Sequence, residues 1–75
     1  MNYKKVIKDF NSGVIDKKKV TLVMDNDSGY WRINTDDDRE HDRRCDELEK
    51  IYGKPKGYRD IVDVLNAAGV SCEWC

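Results

Sequence analysis

VTLVMDNDSGYWRIN, residues 20–34, is the stretch that decides the fold. Val20, Leu22 and Met24 alternate with Thr21, Val23 and Asp25, the period of two that a half-buried strand shows. Asn26, Asp27, Ser28 and Gly29 then cluster as turn formers, and Tyr30, Trp31, Arg32, Ile33 and Asn34 resume an extended pattern. Centring the turn on Asp27 and Ser28 sets Met24 against Trp31, Leu22 against Ile33 and Val23 against Arg32. That register gathers the larger apolar residues on one face. A slip by one residue would turn them all to water. The expectation is an antiparallel hairpin with one greasy side.

Working outward, the hairpin needs cover. Upstream, Tyr3, Val6, Ile7 and Phe10 recur at helical spacing, with Asn2 placed to cap and Gly13 to stop. A helix over 3–12 follows, with Lys4, Lys5, Lys8 and Asp9 outside. Downstream, Thr35 and Asp38 fit the S/T-x-x-D/E capping pattern, which predicts a second helix from Thr35 to about Tyr52. Gly53-Lys54-Pro55-Lys56-Gly57 breaks it. Ile61, Val62, Leu65 and Ala68 share one face of a third helix that stops at Gly69. The tail from Val70 to Cys75 alternates, with Val70, Cys72 and Trp74 inward, as a last short strand. The order α-β-β-α-α-β predicts a single α+β domain over residues 1–75: a small antiparallel, hairpin-based sheet of about three strands with helices on one face.

Composition bounds the rest. Of 75 residues, 39% are hydrophobic and 39% charged, too apolar for disorder and too polar for a membrane protein. No run approaches the roughly 20 apolar residues of a membrane span, and MNYKKVIKDF lacks a signal-peptide core. With three cysteines and no export signal, the expected compartment is the reducing cytoplasm. The net charge of −1 conceals segregation: residues 1–20 carry +4, and residues 36–49 carry −5. Such a dipolar surface governs partner choice rather than fold.

The acidic stretch TDDDREHDRRCDELE, residues 35–49, holds eight of the fifteen carboxylates. Much of that charge has an ordinary helical use. Asp36, Asp37 and Asp38 fit the first turn, where carboxylates meet unsatisfied N–H groups and the helix dipole. Glu40 with Arg44, Asp46 with Lys50 and Arg43 with Glu47 are spaced for i,i+4 pairs. What remains is a stripe. Asp38, Asp42, Asp46 and Glu49 follow one another at four, four and three residues, on one face, where like charges repel by about a few tenths of a kcal/mol per pair. The stripe is the expected partner-binding surface, suited to a groove rich in Arg and Lys.

Other residues suggest other chemistry. His41 and Cys45 lie four apart on the inward side of the same helix, and Cys72 and Cys75 form a CxxC at the tail. Together they offer the four soft ligands of a structural zinc site. Against that, alternation along a strand sends Cys72 and Cys75 to opposite faces, and chain ends fray. No metal or cofactor is therefore expected. The CxxC opens no helix, as a redox pair does. Asp25-Asn-Asp-Ser-Gly resembles the start of a calcium loop, but Tyr30 and Asp36 stand where an EF-hand needs Gly and Glu. One histidine, no phosphate-cradling glycine loop and no G-x-S-x-G give no basis for an enzyme. A nucleic-acid surface built from Lys4, Lys5, Lys8 and Lys17–Lys19 with Tyr30 and Trp31 is disfavoured, because Trp31 falls on the apolar face. Val23, Tyr30 and Arg32 on the other sheet face leave room for a second copy of the chain.

Small size, a lysine-fringed first helix, the turn at Asn26–Gly29 and the acidic helix from Asp36 to Glu49 together resemble small phage- and prophage-encoded inhibitors, anti-CRISPR proteins among them. The resemblance is one of layout and rests on no motif. It implies a non-enzymatic inhibitor that docks an acidic surface where a host defence nuclease binds nucleic acid. With a net charge of −1, a local acidic patch fits better than mimicry of DNA by the whole molecule.

Overall fold

The computed structural model describes residues 1–75 and has the expected element order. Helix α1 spans Tyr3–Ser12, strands β1 and β2 span Val20–Met24 and Tyr30–Ile33, helices α2 and α3 span Asp38–Tyr52 and Asp60–Ala67, and β3 spans Cys72–Trp74. The sheet runs β2-β1-β3. The hairpin is antiparallel, but β3 joins β1 in parallel, so the small sheet is mixed.

Local chemistry explains the helix ends. The Asn2 side chain accepts a hydrogen bond from the Lys5 N–H, and Gly13 leaves α1 at φ 86°, a left-handed conformation that costs glycine little. The start of α2 differs from the expected capping box. Asp37, not Thr35, is the cap: its carboxylate accepts from the N–H groups of Arg39 and Glu40. Thr35 instead accepts from the Asp37 N–H in a tight turn ahead of the helix. A carboxylate two residues closer to the free N–H groups outcompetes the hydroxyl, and Asp36 is left outside the helix.

The hairpin register also differs. Leu22 pairs with Trp31 and Thr21 with Arg32, a shift of two residues from the expected pairing. A shift by two preserves the faces, so the inward set is unchanged. Beyond Val23 the side of β1 that faces β2 is taken by the Lys54–Gly57 segment, while the other side stays with β3. Met24 pairs with Trp74, and Asp25 forms an isolated parallel bridge with Lys56. The turn lengthens to free them, and Asp25 closes it by accepting from the Asp27 N–H. Gly29 is required here for space: a Cβ on it would lie 1.4 Å from the Pro55 carbonyl oxygen. The segment Lys54–Gly57 thus behaves as a strap laid on the sheet. Pro55 is buried, the Gly57 N–H donates to the Asp25 carbonyl, and the Tyr3 hydroxyl donates to the Lys56 carbonyl.

Thirteen buried side chains make one core, with Val6 and Phe10 from α1, Leu22 and Met24 from β1, Trp31 from β2, Leu48 and Tyr52 from α2, and Leu65 from α3. Each fully buried apolar side chain contributes about 1.5–3 kcal/mol. Polar contacts seat the helices. The Tyr52 hydroxyl donates to Asp9, and its ring lies under the Lys5 ammonium at 5.6 Å. The Asn11 amide donates to the Ala68 carbonyl at 2.8 Å, and the Trp31 indole N–H to the Gly53 carbonyl at 2.8 Å. Helix α2 packs on β2 and α3 on β3, at opposite edges of the sheet. On the other sheet face, Arg32 and Glu73 form a two-pronged ion pair at 2.9 Å that reaches across the central strand. Val23 beneath it is only 3% exposed although it stands outside the main core.

Both sheet edges are closed by side chains. Leu22 turns its N–H toward β3, so by alternation its partner Trp31, like Ile33, points its backbone away from β1. The Cys45 thiol donates to the Trp31 carbonyl at 3.0 Å, and the Ile33 carbonyl accepts from the Thr35 N–H. At the far edge, the Asn66 amide donates to the Cys72 carbonyl at 3.0 Å and accepts from the Cys72 N–H at 3.1 Å. At Cys72, Asn66 stands in for a neighbouring strand.

Candidate interaction site

Asp38, Asp42, Asp46 and Glu49 are all exposed on α2. With a rise of about 1.5 Å per residue, they form a row roughly 16 Å long within an arc of about 80°. Leu48 and Tyr52 bury the neighbouring flank, about 100° round the helix, so the row runs beside the sheet rather than directly away from it. Of the three i,i+4 pairs expected on this helix, only Arg43 with Glu47 forms, at 2.9 Å. Glu40 with Arg44 and Asp46 with Lys50 do not, because exposed ion pairs gain little over hydration and cost side-chain freedom. The stripe carboxylates consequently have no Lys or Arg partner. Asp42 alone has a close basic neighbour, His41, at 3.5 Å.

The negative field of the stripe is felt at Cys45. Burial pushes the thiol up from its usual value, and Asp42, Asp46 and Glu49 push it further, against a lowering contact from the Ile33 backbone. A thiol held protonated in this way is a hydrogen-bond donor rather than a nucleophile. That agrees with its bond to Trp31, and Cys45 serves the sheet edge.

The other sequence candidates separate in space. His41 and Cys45 do meet, with Sγ 3.7 Å from Nδ1. Cys72 lies in the strand at the far edge of the sheet, buried, with burial and the Glu73 charge pushing its thiol up to about 11. Cys75 is exposed. The four are not brought together, and no three His, Cys, Asp or Glu side chains converge as metal ligands. The Asp25 carboxylate is engaged in the turn, where it accepts from the Asp27 N–H. Trp31, assigned to a nucleic-acid surface in one reading, is 2% exposed and belongs to the core. No helix is long and apolar enough to cross a membrane.

Sequence reasoning missed two features. Tyr58 is 83% exposed, beside an open cleft of about 500 Å³ walled by Tyr3, Ile61 and Val64. Its signal was present as an aromatic between Lys56 and Arg59, in a segment read only as a helix breaker. The edge-closing role of Asn66 carries no local signal, because it depends on where β3 docks. No family model, curated protein or solved structure matches this chain.

Proposed function

We propose that this chain is a non-enzymatic inhibitor of the phage-encoded, anti-CRISPR-like kind, acting in the cytosol. Its α2 stripe docks into an Arg- and Lys-rich groove where a host defence nuclease binds nucleic acid. The observation that carries the reading is the row itself: four exposed carboxylates on one rigid helix, none paired with a lysine or arginine of its own chain. Their mutual repulsion is a standing cost that a cationic groove relieves. A rigid surface with its polar groups presented in advance also keeps the ordering cost of binding low.

The test uses purified nuclease–guide complexes and their target DNA in a gel-shift assay. The wild-type chain is expected to displace DNA from its target complex, less effectively as salt rises. Asp42→Lys combined with Asp46→Lys should weaken that inhibition by about 10-fold or more. Inhibition of equal strength by the double variant at low salt refutes the stripe as the contact. Failure to displace DNA from any complex refutes the reading itself.

A further inference from the structure

Outside the stripe, the least explained part of the molecule is the strap and the residues that leave it, Lys54-Pro-Lys-Gly-Tyr-Arg59. A connection that breaks a helix would ordinarily be loose. This one is fixed to the sheet by a buried proline, a bridge to Asp25 and hydrogen bonds from Gly57 and Tyr3. Its end presents Tyr58 to water, 83% exposed on an anchored backbone. Tyr58 stands between two clefts. One is apolar, walled by Tyr3, Ile61 and Val64 with Gly57 on its floor; the other is polar, lined by Asn26, Asp27 and Lys56. Lys54, Lys56 and Arg59 are exposed and have no carboxylate within ion-pair distance.

We infer that Tyr58 and its flanking cations form a binding site for single-stranded nucleic acid, separate from the acidic stripe. One base stacks on the Tyr58 ring in the apolar cleft, while Lys54, Lys56 and Arg59 take the adjoining phosphates. Lys56 shares the polar cleft with Tyr58, Arg59 follows it directly and Lys54 stands four residues before it. Unpaired cations along one anchored segment with an exposed ring match a polymer that alternates flat π-faces with anionic links. The cleft volume lies within the range of small-ligand sites. A duplex keeps its bases stacked inside, so the ring would have nothing to receive. Carboxylates also line the clefts, Asp60 in the apolar one and Asp27 in the polar one. They accept hydrogen bonds from exocyclic amino groups and favour cytosine over thymine. Deoxyribose and ribose strands share this chemistry, and both are tested.

The experiment is fluorescence anisotropy of labelled oligonucleotides of about 12 residues, a length typical of one small-domain site. Oligo-dC, oligo-dT, oligo-rC and a mixed-sequence duplex are each titrated with the whole chain at about 50 mM salt. Single strands should bind, oligo-dC above oligo-dT, with log Kd rising against log salt at a slope near 2 for three phosphates at about 0.7 each. Tyr58→Ala should weaken binding by roughly 5- to 150-fold, the loss of one stacked base. Tyr58→Phe should retain it, and Lys56→Glu with Arg59→Glu should abolish it. All these side chains are exposed, and far-UV circular dichroism checks that each variant is folded. Three results overturn the inference: no binding of any single strand, duplex binding as tight as single-strand binding, or a Tyr58→Ala variant that binds like the parent. The first of these would leave the strap as a surface for protein. The charge-reversed stripe variant, Asp42→Lys with Asp46→Lys, should still show the Tyr58-dependent step, so the two sites fail independently.

Discussion

Replacing Gly29 by alanine should be among the most damaging changes of a single methyl group in this chain. The new Cβ would stand 1.4 Å from the Pro55 oxygen, 2.6 Å from the Pro55 carbonyl carbon and 2.7 Å from the Val23 oxygen. All three are backbone atoms, so no rotamer change relieves the overlap. The strap must lift from the sheet. Lifting it breaks the Gly57-to-Asp25 and Tyr3-to-Lys56 hydrogen bonds, at about 0.5–1.5 kcal/mol each, and partly exposes Pro55. The sum is about 2–4 kcal/mol, or a fall in Tm of roughly 8–30 °C for a domain of this size. Gly13→Ala supplies the contrast. Nothing lies within 4 Å of its Cβ, but φ is +86°, so the cost is the left-handed backbone alone, about 1–2 kcal/mol. Urea unfolding of both variants measures the difference, and amide exchange at Gly57 should speed up only in Gly29→Ala. A Gly29→Ala protein within about 0.5 kcal/mol of the parent, with Gly57 still protected, would refute the strap as described.

Three further outcomes are expected. Asp37→Ala should cost about 1 kcal/mol and Thr35→Ala clearly less, measured by urea denaturation, because the cap of α2 is Asp37. Asn66→Ala should cost roughly 1–3 kcal/mol by leaving both Cys72 backbone groups without partners, and should raise self-association at high concentration, read by light scattering. Stability should hold up to about pH 9 and fall between about pH 9 and 12. Burial raises the Cys72 thiol from 9.0 to about 11, and burial with the Asp9 hydrogen bond raises the Tyr52 hydroxyl from 10.0 to about 12. Both groups hold their protons more tightly when folded, so their contribution is present below the unfolded values and is lost as pH climbs through the folded ones. A thermal melt series on the parent and on Tyr52→Phe, which should keep its stability to higher pH, checks the window.

Element types and faces were legible because they depend on periodicity. Val6 and Phe10 had to share a helix face, and Leu22 and Met24 a strand face, wherever their neighbours lay. The hairpin register was displaced by two because it is settled by competition from outside the hairpin. Lys56 and Gly57 take the place of β2 beside the end of β1, and nothing within residues 20–34 announces that. The cap of α2 went to Asp37 because four candidate oxygens sit in a row, and only the backbone geometry ahead of the helix selects among them. The parallel docking of β3 needed the path of α2 and α3, which spacing does not encode. On the site, the stripe was readable from an i,i+4,i+8,i+11 pattern on a helix whose inner face was already fixed. The separation of Cys45 from Cys72 was not, since it follows from β2 and β3 taking opposite edges. Tyr58 was passed over because a proline and two glycines mark a break in structure without saying that the break is anchored.

The closed sheet edges have a consequence for how this domain can change. Edge strands of a small sheet present unpaired backbone groups, and here a thiol of α2 bonds one of them on β2 and a carboxamide of α3 bonds two on β3. The outer sides of those helices therefore have no structural duty. Charge along the outside of α2 touches no core contact, and it reaches the edge bond only through the field that Asp42, Asp46 and Glu49 set at Cys45. Surface charge and core packing are then carried by different side chains of the same helix, so the one can vary while the other is kept.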